Sequence, residues 1–270
     1  VTVETLAQYR VKLIALRCTG FNNVDLETAK KHNITVCRVP SYSPASIAEH
    51  ALSLILALSR KIYKAYNRVR ENNFSLDHLM GFTLQSKTVG VIGTGEIGSA
   101  FCKIMLGLGC RVFAFDIKPS KIVTSWGVEY TDFNHLLQIS DIISLHCPLN
   151  QSTKYILNKE SFAKMKDGVM VINTGRGGLL NTKDAIYFLK NNKIGYLGLD
   201  VYEKELEIFS KDLSENINED EDFIYLSHFP NVLITAHQAF FTIEAMTQIA
   251  SITIQNILDF KSEKKLINEL

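Results

Sequence analysis

A doubly wound α/β fold with a parallel sheet is what this 270-residue sequence predicts, and three observations carry that expectation. Short apolar runs rich in Val and Ile alternate with stretches of helical period, the pattern of parallel strands buried on both faces. The run TVGVI at 88–92 passes directly into GTGEIG, with glycines at 93, 95 and 98. The next apolar run, RVFAF at 111–115, ends on Asp116. Strand, glycine turn, helix and acid in register form the dinucleotide-binding fingerprint of a Rossmann unit, with its context intact.

The elements follow in order. The opening TVETLAQY reads as the tail of a helix already under way, and a strand is expected at 12–16, KLIAL. There is no initiating Met, so the chain reads as a fragment or processed product lacking an N-terminal portion. A second strand is expected at 35–39. One long helix is expected between Pro44 and Asn73, capped by Ser43 or Ser46, with Glu49 as capping-box partner of Ser46. Its length suits a helix joining two lobes or packing on a second subunit. After the fingerprint, strands are expected at 142–146, 169–173, 195–199 and 232–235, and an amphipathic helix at 243–260 closes a lobe. The stretch 203–227, EKELEIFSKDLSENINEDEDFIYLS, is acidic and weakly periodic and reads as a solvated surface insertion. Trp126 reads as packing.

Composition narrows the function classes. Apolar residues make 46% of the chain and charged residues 21%, ordinary for a globular protein. A formal net charge of +1 offers no electrostatic reason to expect a nucleic-acid or membrane partner. The longest apolar stretch, 51–58, is too short to span a bilayer. Five cysteines, at 18, 37, 102, 110 and 147, lie in apolar segments without disulfide or metal-ligand spacing. A cytoplasmic location and no metal are therefore expected.

Each glycine of the fingerprint has its own task. Gly93 permits the tight turn, Gly95 lets backbone approach a pyrophosphate, and Gly98 lets the helix pack closely on the strand. The helix N-terminus then receives the phosphates. Asp116 accepts from the adenosine ribose hydroxyls, and a 2′-phosphate there would meet a like charge. NAD is thus expected over NADP, with Lys118 nearby as a source of tolerance. The plain alternative is a glycine-rich turn that binds nothing.

A nicotinamide enzyme acting on a hydroxy or keto acid needs a cation for the carboxylate, a proton donor, and a group that keeps the donor charged. Ligands of such sheets lie outside the carboxyl ends of the strands. Arg176, in VINTGRGGLLN, follows the strand ending at Asn173, and its planar fork matches a carboxylate bidentately. Asp200 closes the strand of GLDVYEKE, with Glu203 and Glu205 just beyond. His237, in VLITAHQAFF, directly follows the last strand. Read alone, each has a bland alternative: a surface Arg, solvated acids, a satisfied structural His. His146 ends a strand and is expected to line the cofactor crevice; His32 and His78 read as loop residues, and His50, His135 and His228 as helical or surface ones.

INTGRGG, GLDVYEKE and AHQAFFT, in this order after GTGEIG, make the chain similar to the NAD-dependent D-2-hydroxyacid dehydrogenases. RCTGFNNVDL, RVPSYSPASIAEHALSLILALSR and AHQAF resemble the fermentative D-lactate branch of that family, as does Ala236, where many members have Pro. The resemblance covers essentially the whole chain. It implies a Rossmann domain at 44–238 and a discontinuous flavodoxin-like substrate domain, truncated at its N-terminus, from 1–43 and 239–270. It implies Arg176 as anchor for the substrate carboxylate and carbonyl, Glu205 as the acid paired with the histidine, and His237 as proton donor. It further implies that Glu96 and Ile97 offer backbone to the pyrophosphate, that Cys147 and Pro148 flank the adenosine side, and that Thr174, Gly175, Arg176 and Asp200 lie near nicotinamide and its ribose. Thr19 and Gly20 would give backbone N–H groups to the substrate carboxylate, and Tyr42 would line the pocket.

The implied reaction is NADH-dependent reduction of pyruvate to D-lactate by a homodimer or homotetramer. An imidazole ordinarily titrates near pH 6.5, so a neighbouring carboxylate favours the donor form. Two alternatives stay open: a related reductase acting on glyoxylate, hydroxypyruvate or a bulkier 2-keto acid, and a dehydrogenase-like NAD-responsive binding protein similar to the corepressors built on this fold.

Overall fold

The computed structural model describes residues 2–21, 23–209, 211–215 and 219–270. The chain divides into two compact units, one made of 1–46 with 240–270, the other of 47–239.

In the first unit, β1 (Leu13–Ala15) and β2 (Thr35–Cys37) pair in parallel, with Leu13 opposite Thr35. Each is shorter than its apolar run, although the flanking residues still bond: the Thr35 amide donates to the Lys12 carbonyl and the Leu16 amide to the Cys37 carbonyl. Val3, Ala29, Ile34 and Val36 are buried, with Ile14 and Leu16 packed against them. Helices Val3–Gln8 and Leu26–Lys31 begin where Thr2 and Asp25 accept from N3 amides, the ordinary N-cap bond. The chain's last residues return to this small core. Helix Ile243–Lys261 buries Asn256, whose amide donates to the Arg38 carbonyl at 3.0 Å, and the Leu270 amide donates to Val36.

Among its described residues the second unit holds seven strands: β3 (Thr88–Ile92), β4 (Arg111–Phe115), β5 (Glu129–Tyr130), β6 (Ile142–Leu145), β7 (Val169–Asn173), β8 (Ile194–Leu199) and β9 (Val232–Ile234). They lie in the order β5-β4-β3-β6-β7-β8-β9, and all pair in parallel. The chain runs outward from β3 through β4 to β5, then crosses back to continue on the other side at β6. The point of reversal lies between β3 and β6, where open sheets of this kind leave a crevice for a ligand.

Both faces of this sheet are covered, as the strand residues themselves record. Val169 and Val171 belong to one buried cluster and Met170 and Ile172 to another. That is the period-two alternation of a strand between two apolar layers. The first layer is built on Leu136, Phe162 and Leu189, the second on Leu54, Leu58, Phe101 and Met105.

Three expectations need correction. The helix expected to run unbroken from 44 to 73 is two helices, Pro44–Arg60 and Ile62–Arg70, separated at Lys61, which adopts a left-handed backbone (φ 51°). Ser46 does not cap the first of them. It lies inside it, buried, bonded to the Ser43 and Thr242 hydroxyls, while Pro44 takes the first position, where a missing N–H costs nothing. The acidic stretch 203–227 is not wholly a solvated insertion. Asp220 caps helix Glu221–His228, which buries Leu226, and Ile208, Phe209 and Phe223 pack on the core; residues 210 and 216–218 of that stretch lie outside the described ones. Strand β5 had no counterpart in the sequence reading.

Candidate active site

Because every strand of the large sheet points the same way, the segments following β3, β4, β6, β7, β8 and β9 emerge on one edge. Those segments carry the fingerprint glycines, Asp116, Cys147, Arg176, Asp200 and His237.

The glycine turn is dictated by contact. Gly93 has φ +93°, and a Cβ there would stand 2.5 Å from the Cys147 nitrogen. A Cβ on Gly98 would stand 1.9 Å from the Gly93 carbonyl oxygen, so the helix packs on the turn through bare backbone. Gly95 faces open space. It precedes helix Glu96–Gly107, whose first turn, including Ile97, has no side-chain cap. A helix start with no side-chain cap, beside the open space at Gly95, suits an anion.

Asp116 lies just past β4. One of its oxygens accepts from the Thr94 amide at 2.6 Å and the Thr94 hydroxyl at 3.0 Å, the other from the Lys118 amide at 2.9 Å. Burial alone would raise this carboxyl, but these hydrogen bonds outweigh it and hold the group below the usual carboxylate range. It is an anion at neutral pH. Cys147 is a neutral thiol, pushed up to about 11 by burial, and Pro148 beside it is exposed. His146 packs on Phe101 (ring centroids 4.9 Å apart) and bonds to the Ser144 hydroxyl; burial drives it down to about 3, so it stays uncharged.

Past β7 the chain makes a tight turn pinned by one buried side chain. Asn173 accepts from the Gly175 amide and donates to the Arg176 carbonyl. Thr174 is buried, with no hydrogen-bond partner for its hydroxyl. Arg176 is half-buried, and one of its Nη atoms donates to the Gly175 carbonyl at 2.7 Å. A Cβ on Gly177 would stand 2.1 Å from the Tyr202 carbonyl carbon, so this turn packs through bare backbone on the loop that carries Glu205.

Glu205 opens helix Glu205–Ile208. One oxygen lies 3.0 Å from His237 Nδ1, and the other accepts from the Tyr202 amide. Since an ionised carboxylate only accepts, Nδ1 carries the hydrogen in this pair. His237 has a left-handed backbone, φ 51°, tolerated in His more than in most residues. Asp200 holds it there. Its backbone carbonyl accepts from the His237 amide at 2.7 Å, and its carboxylate accepts from the next two amides, Gln238 and Ala239, each at 2.9 Å. The Thr235 hydroxyl donates to the same carboxylate, and His50 Nε2 lies 3.0 Å from that hydroxyl.

Asp200 was expected beside the nicotinamide ribose. In the structure its side chain is wholly buried and committed to this loop. Burial would raise Asp200, but bonds from His50, Thr235, Ala239 and Gln238 prevail and lower it. A depressed carboxylate contributes stability above its unfolded value, about pH 4, and that contribution fades as pH falls through the lower folded value. Asp200→Asn turns an amide NH2 toward a buried N–H and lowers stability by about 1–3 kcal/mol at neutral pH. In a pH series of thermal melts the gap to the parent protein narrows toward acid; a constant gap contradicts the assignment.

The remaining candidates belong to the smaller unit. The Thr19 carbonyl accepts from Arg38 at 3.0 Å and the Gly20 carbonyl from the Cys18 thiol at 3.1 Å, which fixes that turn. The Tyr42 ring meets Phe240 edge-on, centroids 6.2 Å apart. His50, Asn173, Thr94 and Tyr130 escaped the sequence reading. All four show their roles only through tertiary contacts.

A family profile described as the NAD binding domain of D-isomer specific 2-hydroxyacid dehydrogenases matches residues 52–239. The D-lactate dehydrogenase of Escherichia coli (strain K12) is 49% identical over 99% of this chain and 82% of its own length. Among solved structures, the pyruvate reductase of Chlamydomonas reinhardtii superposes with a TM-score of 0.94 at 47% identity, over 98% of this chain and 80% of that one. The Aquifex aeolicus D-lactate dehydrogenase, solved with NAD and lactic acid, superposes with a TM-score of 0.89 at 35% identity, covering 100% and 83%. The residues present suit such a dinucleotide: a helix start with no side-chain cap past Gly95, an anionic Asp116 past β4, and an unpartnered buried hydroxyl on Thr174. No helix among the described residues is long and apolar enough to cross a membrane.

Proposed function

This chain belongs to the D-isomer specific 2-hydroxyacid dehydrogenase family and is an NAD-dependent dehydrogenase, and we propose that its reaction is the reversible reduction of pyruvate to D-lactate. The observation that carries the reading is the pair made by His237 Nδ1 and Glu205, 3.0 Å apart, on the sheet edge that also bears Arg176. A binding protein needs no such proton-holding pair. The similar D-lactate dehydrogenases and pyruvate reductase favour pyruvate over larger keto acids.

Bound NADH supplies the hydride that the keto carbon accepts. The amides of Gly95, Glu96 and Ile97 would hold its pyrophosphate, with Gly93 and Gly98 shaping the turn; Asp116 would hold the adenosine ribose, Cys147 and Pro148 would flank the adenosine, and Thr174 to Arg176 would border the nicotinamide. Arg176 orients the substrate by its carboxylate and steadies the negative charge that grows on the carbonyl oxygen. His237 delivers the proton to that oxygen from Nε2, because Nδ1 is engaged by Glu205. Glu205 is a positioning residue: it fixes the ring through Nδ1. The unit of 1–46 and 240–270, to which Thr19, Gly20 and Tyr42 belong, serves as the substrate domain, and the working form is a homodimer or homotetramer.

Initial rates of NADH oxidation with pyruvate, hydroxypyruvate and phenylpyruvate, with a stereospecific assay of the product, test the reading. Pyruvate giving the highest kcat/KM and D-lactate as product support it; NADH binding without turnover of any keto acid overturns it. Glu205→Ala removes the acceptor that fixes Nδ1, so kcat for pyruvate reduction falls by about tenfold or more, the worth of one hydrogen bond, while the NADH dissociation constant holds. An unchanged kcat takes Glu205 out of its role.

A further inference from the structure

Strand β5 brings Tyr130 to the loop that follows β4. The Ser120 amide donates to the Tyr130 hydroxyl at 3.0 Å, and that hydroxyl lies 2.8 Å from Thr94 Oγ1. The Thr94 hydroxyl has a single hydrogen, and it points to Asp116 at 3.0 Å. An ionised carboxylate cannot donate, so every bond in the row has one direction: Ser120 to Tyr130, Tyr130 to Thr94, Thr94 to Asp116. The row ties both ends of the 116–120 loop to the glycine turn. Between those ends Ile117 stands 88% exposed, with no packing of its own to hold the loop in place.

We propose that Tyr130, acting through Thr94, is a specificity-determining residue that locks the Asp116 carboxylate against rotation and so sets the preference for NADH over NADPH. The proposal rests on the reading of Asp116 as the ribose contact. A locked carboxylate has two consequences. Its Lys118-facing oxygen keeps acceptor capacity for a ribose hydroxyl, so the 2′-hydroxyl is bound without first ordering the acid. A 2′-phosphate meets a charge that cannot swing aside, and a specific repulsive element of this kind rejects the wrong partner more effectively than an added attraction. Once unlocked, the carboxylate turns outward and the adjacent Lys118 becomes available to the phosphate.

The test is fluorescence titration of the full chain with NADH and with NADPH, read as dissociation constants and so independent of turnover. Tyr130→Phe removes the middle hydroxyl while keeping the ring; Thr94→Val removes the next one and leaves the Thr94 backbone amide on Asp116. Each weakens NADH binding by about tenfold, the worth of one hydrogen bond, and narrows the NADH-to-NADPH preference by at least as much. Asp116→Ser separates the two levels of the argument by abolishing the preference outright. If Asp116→Ser abolishes it while Tyr130→Phe and Thr94→Val leave it within about twofold of the parent, the lock is overturned and the ribose reading stands. If Asp116→Ser leaves the preference intact, both fall. Should Tyr130→Phe fail to fold, Thr94→Val decides.

Discussion

Replacing His237 with asparagine lowers kcat for pyruvate reduction by about 10²–10⁴-fold, the usual worth of a positioned general acid, and leaves the NADH dissociation constant close to that of the parent. Asparagine is the informative choice because it tolerates a left-handed backbone, so the φ of 51° at this position survives the exchange. It can hydrogen-bond to Glu205 but has no proton to give. Steady-state kinetics beside NADH titration separates the two contributions. A kcat within a few-fold of the parent, with NADH binding unchanged, would sink the assignment of His237 as proton donor. Loss of NADH binding would instead point to collapse of the loop.

Arg176→Lys raises KM for pyruvate by about 10–150-fold, because one charge-assisted hydrogen bond of the planar fork, about 1.5–3 kcal/mol, has no equivalent in a single ammonium. It also lowers kcat, since that bond strengthens as charge grows on the carbonyl oxygen. NADH binding holds. The turn itself is pinned by Asn173 on both sides of Gly175, not by the Arg176 side chain alone, so the lysine variant keeps its backbone. Equal losses of pyruvate and NADH affinity would mean that the residue is structural and that the substrate carboxylate is held elsewhere.

The strands of the large sheet were legible because each is a continuous apolar run ended by glycine, an acid or a polar residue; TVGVI, RVFAF and VMVIN match β3, β4 and β7 residue for residue. β5 was not, because two residues show no period and Glu129 and Tyr130 become a strand only by pairing with Phe113 and Ala114. The break at Lys61 was equally silent: neither Gly nor Pro marks it, and helical spacing continues on both sides. Arg176, Glu205 and His237 stood out because each comes shortly after a strand end in a parallel sheet, where position alone implies a common edge. Asp200 stands at the same edge, and its carboxylate also holds the Gln238 and Ala239 amides, a task that position does not announce. Position gives the edge, but not whether a side chain faces outward or back into its own loop. Thr94 stands between two glycines and Tyr130 in a segment without a period, and neither carries a signal of its own, because their partners come from different strands.

The grip of Asp200 on three successive amides separates the mount from the tool. Where residue 237 sits is decided by the backbone carbonyl and carboxylate of a residue just past β8, and what residue 237 does is decided by its own ring. A lineage carrying this arrangement can exchange the reactive group in one substitution without rebuilding the loop, whereas a change at position 200 disturbs every chemistry the loop might bear. Anyone redesigning this enzyme for a different reaction has latitude at 237 among the few side chains that tolerate a left-handed backbone, and very little at 200.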